Sequence, residues 1–262
     1  GRLTFHTAGE THGPALVAIV EGLPAGLSVR VELINVDLAR RQAGYGRGGR
    51  MKIERDEVEI LSGVRFGRTL GGPVALLLRN RDWANWGDKM AQGGDGEGIL
   101  PLLTARPGHA DLAGALKYGH KDVRNVLERA SARETAARVA AAALARIFLG
   151  EMDVLIAGQV LSIGNVFVPE NARGDWDSAV RAEKSVLRMA DPDAEARAMR
   201  RIDRAGKTGT SAGGTVETIA RGVPPGLGSF VSWDRRLDAR LAGAVMSIPA
   251  VKGEEIGGGF AL

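Results

Sequence analysis

Three short stretches of this sequence carry residues suited to a small polyanion. From Arg40 to Arg55 the chain reads Arg-Arg-Gln-Ala-Gly-Tyr-Gly-Arg-Gly-Gly-Arg-Met-Lys-Ile-Glu-Arg, six basic residues against one acid. Glycines let main-chain N–H groups converge on one ligand, and guanidinium forks neutralise it. The same composition also describes an RGG-like nucleic-acid segment or a solvated basic loop. The second stretch holds histidine. Of His6, His12, His109 and His120, only two have a suggestive setting. His12 lies in Gly9-Glu10-Thr11-His12-Gly13 and His109 in Arg106-Pro107-Gly108-His109-Ala110-Asp111. An imidazole on a glycine-flanked turn can reach a ligand and donate a proton to it; a purely structural histidine is the plainer reading of each. The third stretch is Arg129-Ala130-Ser131-Ala132-Arg133-Glu134, which reads as a helix start with Ser131 as N-cap and Glu134 closing a capping box. A helix N-terminus attracts anions, and here two arginines flank it, although most capping boxes are structural only.

Elements must hold these stretches in place. Apolar, β-branched runs at 15–21, 58–64 and 73–78 read as strands. The segment 31–42 has helical spacing through Leu33, Val36 and Leu38, and 132–149 is an alanine-rich helix ended by Gly150. Strand character resumes over 154–168, with breaks at Gly158 and Gly164. One or two polar helices follow over 177–204, interrupted at Asp191-Pro192, then a strand over 214–222 and a short helix over 235–246. Residues 93–98 form a glycine-rich loop. Strands and helices alternate without repeat or linker, which predicts a single mixed α/β domain over 1–262. Arg41, Arg47, Arg50, Arg106 and Arg133 each lie in or beside a glycine-rich turn, a proline or a helix start, and are expected to converge on one cleft.

The 262 residues are 44% hydrophobic and 25% charged, the balance of an ordinary globular chain. No apolar run is long enough for a membrane helix. The absence of cysteine removes thiolate chemistry and suits a reducing cytoplasm. Arginine outnumbers lysine 28 to 7, yet the net charge is only +4, so no nonspecific nucleic-acid coat is indicated. No P-loop, dinucleotide fingerprint, zinc-protease pair or serine elbow is present, and nothing suggests a catalytic metal held by the protein.

Taken together, Gly9–Pro14, Arg40–Glu54, Arg106–Asp111, Arg129–Glu134, Gly222–Leu227 with Trp233–Leu241, and Ser247–Phe260 resemble, in order, the motifs of the chorismate synthase family. That resemblance implies a β-α-β sandwich of antiparallel sheets around helices, assembled as a homotetramer. It implies a lyase that makes chorismate by anti 1,4-elimination of phosphate from 5-enolpyruvylshikimate 3-phosphate, the last step of the shikimate pathway. Reduced FMN is used catalytically and supplied by an external flavin reductase, since the chain has no insertion large enough to be one. By the same resemblance His12 is the proton donor at the leaving phosphate, and His109 lies at the flavin N1–C2=O edge. Arg41, Arg50, Arg106 and Arg133 grip the substrate, and Arg41 and Arg47 match NADP contacts. Arg129, Ala130 and Ser131 match a flavin-binding stretch, with Pro249 and Ala250 a second contact. Thr11 stands where the family usually has Ser, and Pro249 where it commonly has Asn or Gln, without an N–H. The family sequence continues past position 262 with a lysine-containing flavin loop and an Arg…Asp pair, so the chain is expected to be C-terminally incomplete. Two rivals remain: a truncated homologue that binds a polyanion without catalysis, and an ordinary flavin oxidoreductase.

Overall fold

The apolar run Ala15–Glu21 (β2), as a strand, puts Leu16, Ala18 and Val20 on one face, and all three are buried. Their cross-strand partners in β6 (Val74–Arg79) are Leu78, Leu76 and Val74, equally buried, so the register is fixed by one apolar face. With β1 (Thr4–Ala8) and β3 (Val58–Ser62) these strands form an antiparallel sheet in the order β1-β2-β6-β3. A bulge shifts the β3 register between Ile60 and Ser62, and Gly63, at φ +83°, turns the chain into the small hairpin β4 (Val64–Arg65) and β5 (Arg68–Thr69). This computed structural model describes residues 3–46 and 53–259.

Two helices cover the buried face of the sheet. Helix α1 spans Val31–Gln42, the predicted bounds, but the buried residues are Ile34 and Leu38, one turn apart, while Val36 is exposed. The predicted long helix begins as a 3-10 turn over Ala132–Glu134 and continues as α4, Thr135–Gly150, which includes the glycine expected to end it. Ala136, Ala137, Ala140, Ala141, Ala143 and Leu144 face inward; with side chains this small, α4 packs close to both the sheet and α1. Two short helices not predicted from sequence, α2 (Asp111–Tyr118) and α3 (Arg124–Leu127), precede it.

A second antiparallel sheet has the order β8-β7-β9, from β7 (Leu155–Ile163), β8 (Val166–Phe167) and β9 (Gly214–Arg221). Gly158 is no break: it lies inside β7 opposite Thr218, whereas Gly164 makes the β7–β8 turn at φ +59°. Helices α5 (Trp176–Ala182) and α6 (Pro192–Thr208) are capped by Asp175 and Asp191, whose carboxylates accept from Ser178 and Ala194 N–H. Among the described residues the strands all pair antiparallel, so the mixed class resolves to the expected α+β arrangement of sheets layered with helices. The sequence shows no boundary near 222, but the chain divides there into two compact units, Gly1–Arg221 and Gly222–Leu262. The smaller unit carries α7 (Leu237–Met246), none of whose residues is buried. Among the described residues no helix is long and apolar enough to cross a membrane.

Candidate active site

In the larger unit, the turn between β1 and β2 carries His12. Gly9 at φ +107° starts it, and a Cβ there would meet Ala15 O at 2.4 Å. The turn is held from two sides. From the end of β6, Asn80 Nδ2 donates to Glu10 O and Gly13 O (3.1 and 2.8 Å), and Asn80 N donates to Pro14 O. From the end of α3, Glu128 O accepts from Thr11 N (3.0 Å) and Thr11 Oγ1 (2.9 Å), and Glu128 Oε2 accepts from His12 N at 2.7 Å. The His12 ring lies between carboxylates, with Nδ1 2.7 Å from Glu128 Oε1 and Nε2 3.9 Å from Asp82 Oδ2. Trp86 stacks on it, 3.8 Å between centroids and 19° between planes. The imidazole is 16% exposed, enclosed but reachable.

Beside this histidine lies a buried charged cluster. Arg133 Nη1 pairs with Asp56 Oδ1 at 2.5 Å and Nε donates to Asn80 Oδ1 at 2.9 Å. Asn80 therefore links the His12 turn to the start of the α4 region. Arg41, in the last turn of α1, reaches the other oxygen of Asp56 (3.4 Å), Thr135 Oγ1 and Ala132 O. Gln42 clamps the segment before β3 that carries the acids, donating to Glu54 O and accepting from Asp56 N. Glu54 in turn accepts from Arg81 N and Asp82 N, tying this cluster to the Asp82 side of His12. Arg133 Nη2 is buried without a hydrogen bond, with Glu54 Oε2 3.7 Å away.

The predicted arginines thus meet only in part. Arg41 and Arg133 share Asp56. Arg106 uses its N–H, Nε and Nη2 on Asp111, a fully buried carboxylate that these bonds hold down at about 2, and it feels the charge of Glu128. Arg47 and Arg50 lie outside the described residues. His109 is on an exposed turn, its Nδ1–H donating to Pro107 O at 2.9 Å. The capping box does not form: Ser131 Oγ accepts from Arg133 N, while Glu134 accepts from Thr7 Oγ1 and Arg138 Nε. Arg129, half-exposed, donates to Thr7 and Gly9 carbonyls, and Ala130 follows it into the 3-10 turn. In the smaller unit, Pro249 and Ala250 form an exposed turn with Ala250 at φ +73°. Sequence reasoning missed Glu54, Asp56, Asn80, Asp82, Trp86 and Glu128. The local signal was the polar run Asn80-Arg81-Asp82 that follows the apolar run 73–78 and Arg79.

The sequence model of the chorismate synthase family matches residues 3–262. The chain belongs to the chorismate synthase family. It is 60% identical over 261 residues to the chorismate synthase of Desulforudis audaxviator, covering 98% of this chain and 66% of that protein. The Symbiobacterium thermophilum chorismate synthase is 57% identical over 265 residues, 98% of this chain and 68% of its own length. A solved chorismate synthase crystal structure, 44% identical, superposes with a TM-score of 0.82 over 100% of this chain and 70% of that one. The chain therefore spans about two thirds of the length of these relatives. Their family assigns the fold to a lyase and favours catalysis over a polyanion binder without it.

Proposed function

We propose that the protein acts as a chorismate synthase, eliminating phosphate from 5-enolpyruvylshikimate 3-phosphate to leave chorismate. The observation that carries this reading is Asn80, which holds the His12 turn through Nδ2 and Arg133 through Oδ1, joining a proton donor to a cation. His12, protonated at Nε2, gives that proton to the oxygen leaving with phosphate as the allylic C–O bond breaks. The orphan Nη2 of buried Arg133 is a donor that one oxygen of an anionic substrate would satisfy. Arg41 and Arg106 grip the same ligand, and because their carboxylate partners offset much of their charge, Arg47 and Arg50 supply the surplus for a phosphate and two carboxylates.

The family is flavin-dependent, and the proposed cofactor is reduced FMN. The residues present fit an anionic cofactor: among the described residues Arg129 donates to carbonyls and a hydroxyl, its carboxylate neighbour Glu134 stands 3.8 Å off, and its side chain is 43% exposed. Arg129, Ala130 and Ser131 would hold the flavin phosphate and His109 would meet the ring edge through Nε2; Pro249 and Ala250 are proposed flavin contacts on the family resemblance alone. When bound, reduced FMN supplies the reversible electron transfer that the elimination needs without net redox change. Arg41 and Arg47 are proposed NADP contacts, and a cytoplasmic homotetramer fed with reduced flavin by a separate reductase completes the reading.

An anaerobic assay of the full-length protein with reduced FMN and 5-enolpyruvylshikimate 3-phosphate tests it. Chorismate and phosphate should appear in equal amounts with the flavin still reduced at the end. Reductant consumed in proportion to product would instead identify an oxidoreductase.

A further inference from the structure

Glu128 is buried, its side chain 2% exposed, and among the described residues its short ionic contact is with His12. Both of its carboxylate oxygens are engaged on that one residue: Oε2 takes the main-chain N–H and Oε1 faces Nδ1, each at 2.7 Å. Its own carbonyl meanwhile fixes Thr11 through two donors. Backbone and ring of the histidine are therefore set by a single residue, and Trp86 fixes the plane of the ring from its face. Nε2 is left 3.9 Å from Asp82, beyond hydrogen-bond length.

We propose that Glu128 is the positioning residue of the proton donor, holding the Nδ1 proton of His12 so that Nε2 is the atom that gives up its proton to the substrate. This rests on the reading of His12 as donor. In the step, the C–O bond breaks with its electron pair going to oxygen, the Nε2 proton passes to that oxygen, and the imidazolium becomes neutral imidazole. The remaining proton stays on Nδ1, hydrogen-bonded to Glu128. Glu128 makes and breaks no covalent bond; it sets tautomer and aim, as second-partner carboxylates do for catalytic histidines elsewhere.

Glu128→Gln makes a sharp prediction. The amide has one acceptor oxygen, while His12 presents one fixed donor, its main-chain N–H, and one that can relocate, the ring proton. The oxygen goes to the fixed donor, the NH2 faces Nδ1, and the ring proton moves to Nε2. Two-bond proton–nitrogen correlation spectra of the 15N-histidine-labelled full-length protein read this directly, with the His12 signals assigned by their loss in His12→Ala. Wild-type neutral His12 is expected as the Nδ1–H tautomer and Glu128→Gln as Nε2–H. Turnover of the variant should fall about 10- to 1000-fold, on the scale seen when a carboxylate behind a catalytic histidine becomes an amide, with KM changed by less than about threefold. An Nε2–H tautomer in the wild type overturns the proposal and needs no variant to fold. An unchanged tautomer or unchanged turnover in Glu128→Gln overturns it too. Wild-type turnover in His12→Ala would instead remove the donor reading, whatever the spectra show.

Discussion

At the scale of single residues, the arginines of this protein are held by partners more than they are displayed. Arg106 shows this best: three of its donors hold Asp111, whose carboxyl lies at about 2, below the usual 3.8, chiefly because of the Arg106 side-chain hydrogen bonds. A carboxyl lowered on folding adds stability above its unfolded value and loses it as pH falls toward the folded value. The pair should therefore contribute fully above about pH 5 and fade between about pH 4 and 2. Allowing for the solvent that reaches the Arg106 side, the contribution is on the order of 1 kcal/mol. Denaturant midpoints at several pH values check it: wild type should lose that much more than Asp111→Asn on acidification. Asp111→Asn should itself cost about 2 kcal/mol near neutral pH, because it weakens the charge-assisted hydrogen bonds from Arg106. Equal acid sensitivity of the two proteins would place the acid-labile interaction elsewhere.

At the scale of elements, the β1–β2 turn is the most constrained piece. Gly9 at φ +107° has Ala15 O and Leu16 Cα where a Cβ would go, so Gly9→Ala should cost about 2 kcal/mol or more and lower Tm by several degrees, which a thermal scan measures. A Tm unchanged by that substitution would mean that the turn relaxes freely. Much of this level was legible in the sequence. The apolar runs that read as strands are β2 and β6, and the bounds of α1 match although the residues it buries are Ile34 and Leu38. What was misread depended on distant contacts. Val36 stays exposed because the sheet takes Ile34 and Leu38, and Glu134 leaves Ser131 because Thr7, far away in sequence, offers it a hydroxyl. The helices α2 and α3 are too short to show a period. In the site, His12 announced itself through its glycines. Glu128, Asp56 and Asn80 did not, because an acid or amide in an unremarkable setting acquires meaning only from the partner folding brings to it.

At the scale of the whole molecule, the net charge is a modest +4, and Arg41 at the end of α1 and Arg133 at the start of the α4 region share Asp56. If a substrate with three anionic groups is held there, its KM should rise several-fold between about 0.05 and 0.5 M salt, as screening shortens from about 14 to 4 Å; a KM indifferent to salt would contradict a charge-driven grip. The placement of His12 gathers all these scales into one claim, that β1–β2, β6 and α3 are arranged to present one imidazole to the leaving phosphate. The direct test is the turnover and substrate affinity of His12→Ala beside His6→Ala, both in the full-length protein with reduced FMN. His6 is an exposed residue of β1, so its loss should leave turnover near the wild-type value. Loss of His12 should lower turnover about 10- to 1000-fold while substrate affinity changes far less, since the arginines carry the charge complementarity. Equal effects of the two substitutions, or a His12→Ala enzyme at wild-type turnover, would contradict the account.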